Sequence, residues 1–324
     1  MDLEQILGLN EYKDQYNFTQ TDKSITITFP AIDPNLVDIN IDHSDSSIIA
    51  GMKGFPPAVC GTMYAKSYRH EVKNVKGNVK IILHKEMNEY WPLFIISSSS
   101  RGIDPKSLFM IGYYKISTFD EESAFNYFKE ASDCGYLPAQ LCVADILLSD
   151  TNPYDVPKDV DEAIRILKSI PLNRRSPKVT ICLSDALLTQ ENQLEARHVL
   201  EESAETGSEV KIKLVKMISP IFNKNGTNED ATQAVNYLLP MAIEQNNPEA
   251  LKLLSQHVAK GKGIQKDYAK AIEYEQIAHS IDPKIPIELK ENAVLKNLLI
   301  VGLTSAIVIG TFGLSLYRDR KKRR

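Results

Sequence analysis

Residues able to do metal or nucleophile chemistry are few in this sequence, and their spacing is poor for it. The six histidines, His43, His70, His84, His198, His257 and His279, never stand four apart and never flank a cysteine pair. A zinc site needs three or four such ligands converging on one point, so no metal is expected. Cys60, Cys134, Cys142 and Cys182 contain no C-x-x-C pair, and four thiols in 324 residues are far from a disulfide scaffold. They read as reduced, mostly buried thiols. The phosphate-cradling G-x-x-x-x-G-K-[ST], a G-x-G-x-x-G after a strand, H-E-x-x-H and G-x-S-x-G are all missing. Gly261-Lys-Gly stands in a loop without the strand that phosphate binding requires. The expectation is a protein that is not an enzyme and carries no cofactor.

Charge removes another class of partner. The net charge is −4, yet the seven residues Arg318 to Arg324 hold six cations and one anion, so the rest of the chain carries −9. Nucleic acid is bound through clustered cations on a folded surface, and none are indicated here. Hydrophobic residues at 43% and charged residues at 25% are ordinary for folded domains. Contact with proteins is the remaining chemistry, and the elements that would present it can be read in order.

Residues 16–95 alternate like strands. Ser24-Ile-Thr-Ile-Thr-Phe and Val37-Asp-Ile-Asn-Ile switch apolar and polar at every step, Asn78-Val-Lys-Ile-Ile-Leu-His is a further strand-like run, and all are rich in β-branched side chains. Turn clusters at Asp33-Pro-Asn, His43-Ser-Asp-Ser-Ser, Phe55-Pro-Pro and Lys76-Gly77 divide them. Short strands at this spacing without intervening helix predict an antiparallel sandwich. Trp91, the only tryptophan, is expected in its core. Phe55, Pro56 and Pro57 make a rigid turn that could meet an extended chain.

The motifs in this stretch resemble those of CS domains, the β-sandwich of the NudC and p23 co-chaperones. Tyr16-Asn-Phe-Thr-Gln-Thr is similar to the family opening Y-x-W-x-Q-T, with Phe18 in place of tryptophan. Lys53-Gly-Phe-Pro-Pro-Ala-Val-Cys-Gly61-Thr-Met-Tyr64 resembles the NudC stretch K-G-x-P-P-x-x-x-G-x-L-Y. Leu83-His-Lys85 through Trp91-Pro-Leu93 follows the closing L-x-K-x-x-x-x-W-x-x-L, with its last leucine one residue early. The acidic Ser-x-Trp segment of the family is here Arg69-His-Glu-Val-Lys. The resemblance implies a domain without catalytic residues that binds unfolded clients or Hsp90/Hsp70-type chaperones. Phe55, Pro56, Pro57, Tyr64, Lys85 and Trp91 are its candidate partner-binding residues.

Ile95-Ile-Ser-Ser-Ser-Ser-Arg-Gly-Ile-Asp-Pro changes the pattern, and residues 96–106 read as a linker. Over 107–283 the apolar period is helical and the sequence repeats. Ala124, Ala163, Ala196, Ala234 and Ala271 hold equivalent places at intervals of 39, 33, 38 and 37 residues. That period means stacked helical hairpins, with alanine letting helix axes approach. Ala131 and Ala278 share faces with Ala124 and Ala271, Gly135 and Gly207 suit helix-ending turns of positive φ, and Pro240 is expected to bend a helix. Phe125, Tyr127, Phe128, Tyr237 and Tyr274 are expected between hairpins, and Glu201, Glu202 and Glu205 on a solvated face. Asn247-Pro-Glu-Ala-Leu followed by Gly261-Lys-Gly-Ile-Gln-Lys-Asp267-Tyr-Ala-Lys-Ala271 resembles the Sel1-like repeat, a relative of the tetratricopeptide repeat. Leu137-Pro-Ala-Gln-Leu and Asp159-Val-Asp-Glu-Ala163 echo it. The resemblance implies an α-solenoid that scaffolds protein complexes.

After a second linker, 284–296, the 21 residues 297–317 carry no charge. As a helix they would reach about 31 Å, the thickness of a bilayer core. A transmembrane helix is expected there, with a basic tail over 318–324 and a lead segment over 1–15. Gly302, Ala306 and Gly310 share one face, a spacing that suits self-association of spans. The first residues have neither the cationic start nor the apolar run of a signal peptide. The layout resembles tail-anchored proteins, which implies a cytosolic N-terminal part and a lipid partner. The basic tail is similar to those at the mitochondrial outer membrane, with ER and peroxisome as the other choices. The expected fold class is an all-β CS-type sandwich, an all-α Sel1-like solenoid and one transmembrane helix. The expected function is a membrane-anchored chaperone adaptor. The alternative is an ER-associated degradation adaptor with lumenal repeats, for which Asn17 and Asn225 are sequon positions.

Overall fold

Alternation builds the first region of the chain. A computed structural model describes residues 16–31 and 33–289. In β2 (Ser24–Pro30) and β7 (Asn78–Lys85) every second residue is buried. Ile25, Ile27 and Phe29 therefore share a face with Val79, Ile81 and Leu83. These strands sit between β1 (Asn17–Gln20) and β6 (Ser67–Val75), in the order β1-β2-β7-β6. A second sheet has the order β3-β4-β5-β8, from Val37–Asp42, Ser47–Met52, Val59–Met63 and Ile95–Ser97. All pairings are antiparallel. The inner faces close on one apolar core containing Ile48, Ala50, Val59, Met63 and Trp91. Each large aliphatic side chain withdrawn there contributes roughly 1.5–3 kcal/mol.

Two backbone features set the register. Lys76 and Gly77 have φ of 46° and 79°, the doubly positive pattern of a two-residue hairpin loop, and they join β6 to β7. Gly61 has φ +153°, and a Cβ there would lie 2.3 Å from Ile95 Cγ2. Only glycine lets β5 and β8 approach this closely.

Beyond β8 the period changes to helical. Ten α-helices follow among the described residues. In order they are α1 (Pro105–Ser117), α2 (Glu121–Asp133), α3 (Leu137–Leu148), α4 (Val160–Ser169), α5 (Pro177–Thr189), α6 (Gln193–Glu202), α7 (Ser208–Ile218), α8 (Asn228–Ile243), α9 (Pro248–Lys260) and α10 (Tyr268–Ile281). Their starts are written in the sequence. Asp104, Asp120, Asp159, Asn192, Thr227, Asn247 and Asp267 each accept a hydrogen bond from the backbone N–H three residues on. Gly261 ends α9 in the left-handed conformation.

The chain divides into two units. One runs to Arg175 and takes in Asp185–Glu191; the other holds Ser176–Ser184 and continues from Asn192. In the first, the sandwich is followed by α1 to α4, each packed on the next. A Cβ at Gly112 would meet the Phe128 ring at 2.5 Å, so α1 and α2 cross at a glycine. In the second, α6 to α10 pack in sequence around Leu214, Leu238 and Leu254. The repeat alanines are all buried: Ala124, Ala131 and Ala163 in the first unit, Ala196, Ala234, Ala271 and Ala278 in the second. Residues 282–289 lie over the last helix pair as a strap. Glu275 accepts from Leu289 N at 2.7 Å and pairs with Lys252, which also donates to Pro286 O at 3.0 Å. Ile285 and Leu289 pack on the apolar cluster beneath.

Some expectations are corrected. The fold class expected one transmembrane helix after the repeats. Among the described residues no helix is long and apolar enough to cross a membrane. The longest, α8 with 16 residues, would reach only about 24 Å. Residues 297–317, including Gly302, Ala306 and Gly310, lie outside the described residues, as do the lead segment and basic tail. The architecture is a β-sheet region followed by helical repeats. Gly207 has φ 179°, extended rather than positive, and its small size matters instead because a Cβ would sit 2.9 Å from Pro177. α8 continues through Pro240 to Ile243. Of the four thiols only Cys60 is buried, and Cys134 is exposed.

Candidate protein-interaction site

Three of the six candidate partner-binding residues meet at one end of the sandwich. Strand parity turns Lys85, the last residue of β7, inward, where it is 3% exposed. A buried ammonium must give away all three N–H groups. Lys85 Nζ donates to Gln20 Oε1 at 2.9 Å, Thr21 O at 2.8 Å and Glu89 O at 2.6 Å. Gln20 closes the knot in both directions, its Nε2 donating to Trp91 O at 2.8 Å and its Oε1 accepting from Trp91 N at 3.0 Å. The Trp91 ring is 1% exposed, with Lys85 Nζ 5.3 Å from its centroid and the Tyr64 ring 6.2 Å away. Burial pushes the Lys85 pKa down, and the Asp22 and Glu89 carboxylates oppose it.

This knot positions; it does not present a reactive group. Each Lys85 donor is already used, and the Trp91 indole N–H is buried without an acceptor among the described residues. Tyr64 alone of the three is substantially exposed, at 40%. Phe55, Pro56 and Pro57 lie elsewhere, in the β4–β5 connection. Phe55 is half-buried against the core, Pro57 Cα sits 2.9 Å from where a Gly51 Cβ would be, and only Pro56 faces outward. The turn folds back onto β4.

A second buried polar group joins the sandwich to α1. Asp104 accepts from Ser107 N at 2.8 Å and Cys60 N at 3.0 Å. Burial pushes its pKa up to about 6, against the pull of those hydrogen bonds. Tyr16 O–H and Ser107 Oγ lie 2.8 Å apart, and Lys106 Nζ donates to Tyr16 O from 4.8 Å above its ring. The Cys60 thiol, 3.2 Å from Ser99 Oγ, is raised in pKa by burial and so is a poor nucleophile. The sequence does signal Asp104, since Asp-Pro before an apolar run marks a helix start. The role of Gln20 has no local signal, because its partner stands 65 residues away.

One arrangement in the second unit has the geometry of a nucleophile and base. Ser219 Oγ lies 3.0 Å from His257 Nε2, and His257 Nδ1 donates to Lys262 O at 2.8 Å. Both side chains are fully buried, so no substrate reaches them. Burial lowers the His257 pKa and keeps the imidazole neutral. No cluster of metal-ligating side chains occurs among the described residues.

Apolar side chains do reach the surface. Met110, Tyr113 and Tyr114 are exposed on α1, at the i, i+3, i+4 spacing of one helix face. Phe119, two residues past α1, is 88% exposed at φ 59°, a conformation that a bulky residue rarely adopts. Repeat periodicity alone does not reveal this stripe.

No family model matches the chain, and no curated protein matches it. Solved structures show partial likeness. A nuclear movement protein from E. cuniculi is 19% identical, covers 25% of this chain and 98% of its own, and has a TM-score of 0.23. A Sel1 repeat protein from Oxalobacter formigenes is 20% identical, covers 55% of this chain and 73% of its own, and has a TM-score of 0.45. A thermophilic TPR protein from Thermus thermophilus is 13% identical, covers 62% of this chain and 99% of its own, with a TM-score of 0.33. Likeness at this level assigns no function.

Proposed function

We propose that the chain is a non-enzymatic protein-interaction adaptor. Its sandwich holds unfolded clients or an Hsp90/Hsp70-type chaperone, and its helical hairpins hold a second protein of the complex. The observation that carries this reading is how the side chains are used. The half-buried Gln20 and the buried Lys85, Asp104 and His257 are all engaged in holding the fold. Contact chemistry is among what faces outward: Tyr64 on the sandwich, and Met110, Tyr113, Tyr114 and Phe119 at the first hairpin. Exposed aromatic residues of this kind are suited to a protein partner. The CS-like motifs support the client-binding half, and the Sel1-like motifs support the scaffolding half.

The purified protein is expected to suppress light scattering by a heated model client at stoichiometric ratios, or to capture Hsp90 or Hsp70 from solution. Absence of both effects removes the chaperone assignment. Loss of complex capture on Phe119→Ser with Tyr113→Ser, at unchanged helix content, is expected for the scaffolding half.

A further inference from the structure

Each sheet of the sandwich ends in a strand paired on one side only, and two of these edges face one opening. Among the described residues β6 pairs with β7 alone, and β3 with β4 alone. β6 is the longest strand, with nine residues. Its register places Val72 opposite Ile81 and Asn74 opposite Val79, residues of the inward face of β7. Ile81 is fully buried, yet Val72 on the same face is 46% exposed. On the other sheet Val37, Ile39 and Ile41 are only half-buried. The sandwich is open here, and a groove of about 360 Å³ lies between the edges, lined by Val37, Ile39, Val72 and Val79 with Lys53 and Asp38 at its rim.

We propose that this groove is the docking site of an extended acidic-aliphatic segment of a partner protein, which adds a strand to the free edge of β6. The proposal rests on reading the sandwich as a protein-binding module. An added strand takes its hydrogen bonds from unpaired backbone groups of the edge, while alternate side chains enter the groove. Charge decides which segment fits. On the outward face of β6 and the neighbouring β7, Arg69, Lys73 and Lys80 stand with a single anion, a net +2, whereas the whole chain carries −4. That anion, Glu71, already lies 3.4 Å from Arg69, 3.2 Å from Lys73 and 3.1 Å from His84, so cationic charge remains along the edge. Edge lysines repel a second copy of the same strand. The same charges attract carboxylates at the outward positions of an incoming strand. Aliphatic residues toward Val72 and Ile39, with acidic residues between them beside Arg69 and Lys73, satisfy both faces.

The test uses the full-length protein and a fluorescein-labelled decapeptide alternating isoleucine with glutamate, read by fluorescence anisotropy. Saturable binding is expected. It should weaken at least tenfold on Val72→Lys, on Lys73→Glu, or when alternate peptide amides are N-methylated. Circular dichroism of the exposed-site variant Val72→Lys should match that of the parent. No binding at millimolar protein, equal binding of a lysine-for-glutamate peptide, or indifference to Val72→Lys would each overturn the assignment. A dimer of the parent protein that Val72→Lys dissociates would give the groove to a second copy, and also overturn it. Aggregation suppression separates this site from the adaptor reading. Suppression without peptide binding sinks the groove alone, and peptide binding without suppression sinks the chaperone role alone.

Discussion

The sandwich and the second helical unit reach stability by opposite means. In the sandwich the decisive contacts are long-range, since Lys85 meets Gln20 and Thr21 across some 64 residues and Trp91 meets Gln20 across 71. In the helical unit they are local. Four of its helices, α6, α8, α9 and α10, start at their own side-chain caps, and Ala234 or Ala271 is buried by its sequence neighbours. A region held by distant partners concentrates its sensitivity in a few residues. A repeated region spreads it along the chain.

Three measurements would break or sharpen that contrast. The largest effect is expected at Trp91. Truncation by Trp91→Ala should lower stability by about 3–5 kcal/mol in urea unfolding, as loss of a large buried ring does. Trp91→Phe should cost clearly less, because it also removes an indole N–H buried without an acceptor. Equal costs would mean that packing is not what Trp91 supplies.

Acid should act on the two regions with opposite sign. Asp104 has its folded pKa raised to about 6, above the unfolded value near 3.9. The stability it contributes is therefore full below about pH 4 and lost as pH rises through about 6. His257 has its folded pKa lowered. Its contribution is present above the unfolded value near 6.5 and lost as pH falls below it. Asp104→Asn should flatten the first profile and His257→Gln the second, each without touching the other. Trp91 fluorescence reports the sandwich, since no other tryptophan exists. A common pH profile at both regions would contradict the assignment.

The smallest effect is expected along the alanine faces. Ala234→Leu should cost about 1–3 kcal/mol by overpacking, without changing Trp91 fluorescence. A neutral result there would show slack between α8 and its neighbours.

How legible each region was follows from the same contrast. Ser24-Ile-Thr-Ile-Thr-Phe and Asn78-Val-Lys-Ile-Ile-Leu announce their strands because burial on one face imposes period two. The Lys76-Gly77 turn is equally local. Ala163, Asp159 and Asp267 were legible as repeat positions for the same reason, and the two aspartates prove to start helices. The meeting of Gln20, Lys85 and Trp91 was not, since motif spacing names residues without saying that they touch. The openness between β3 and β6 depends on strand order, which alternation does not encode. Gly207 was misread because a glycine after a helix signals freedom, whereas here it answers to the bulk of Pro177.

The strap over α9 and α10 has a consequence for growth of the array. A hairpin stack exposes at each open end the apolar side on which another hairpin could settle. Here Ile285 and Leu289 occupy that side, and Lys252 with Glu275 fastens them down. The last hairpin thus has part of its apolar side covered by its own chain, which leaves less room there for a second copy to join tail to head.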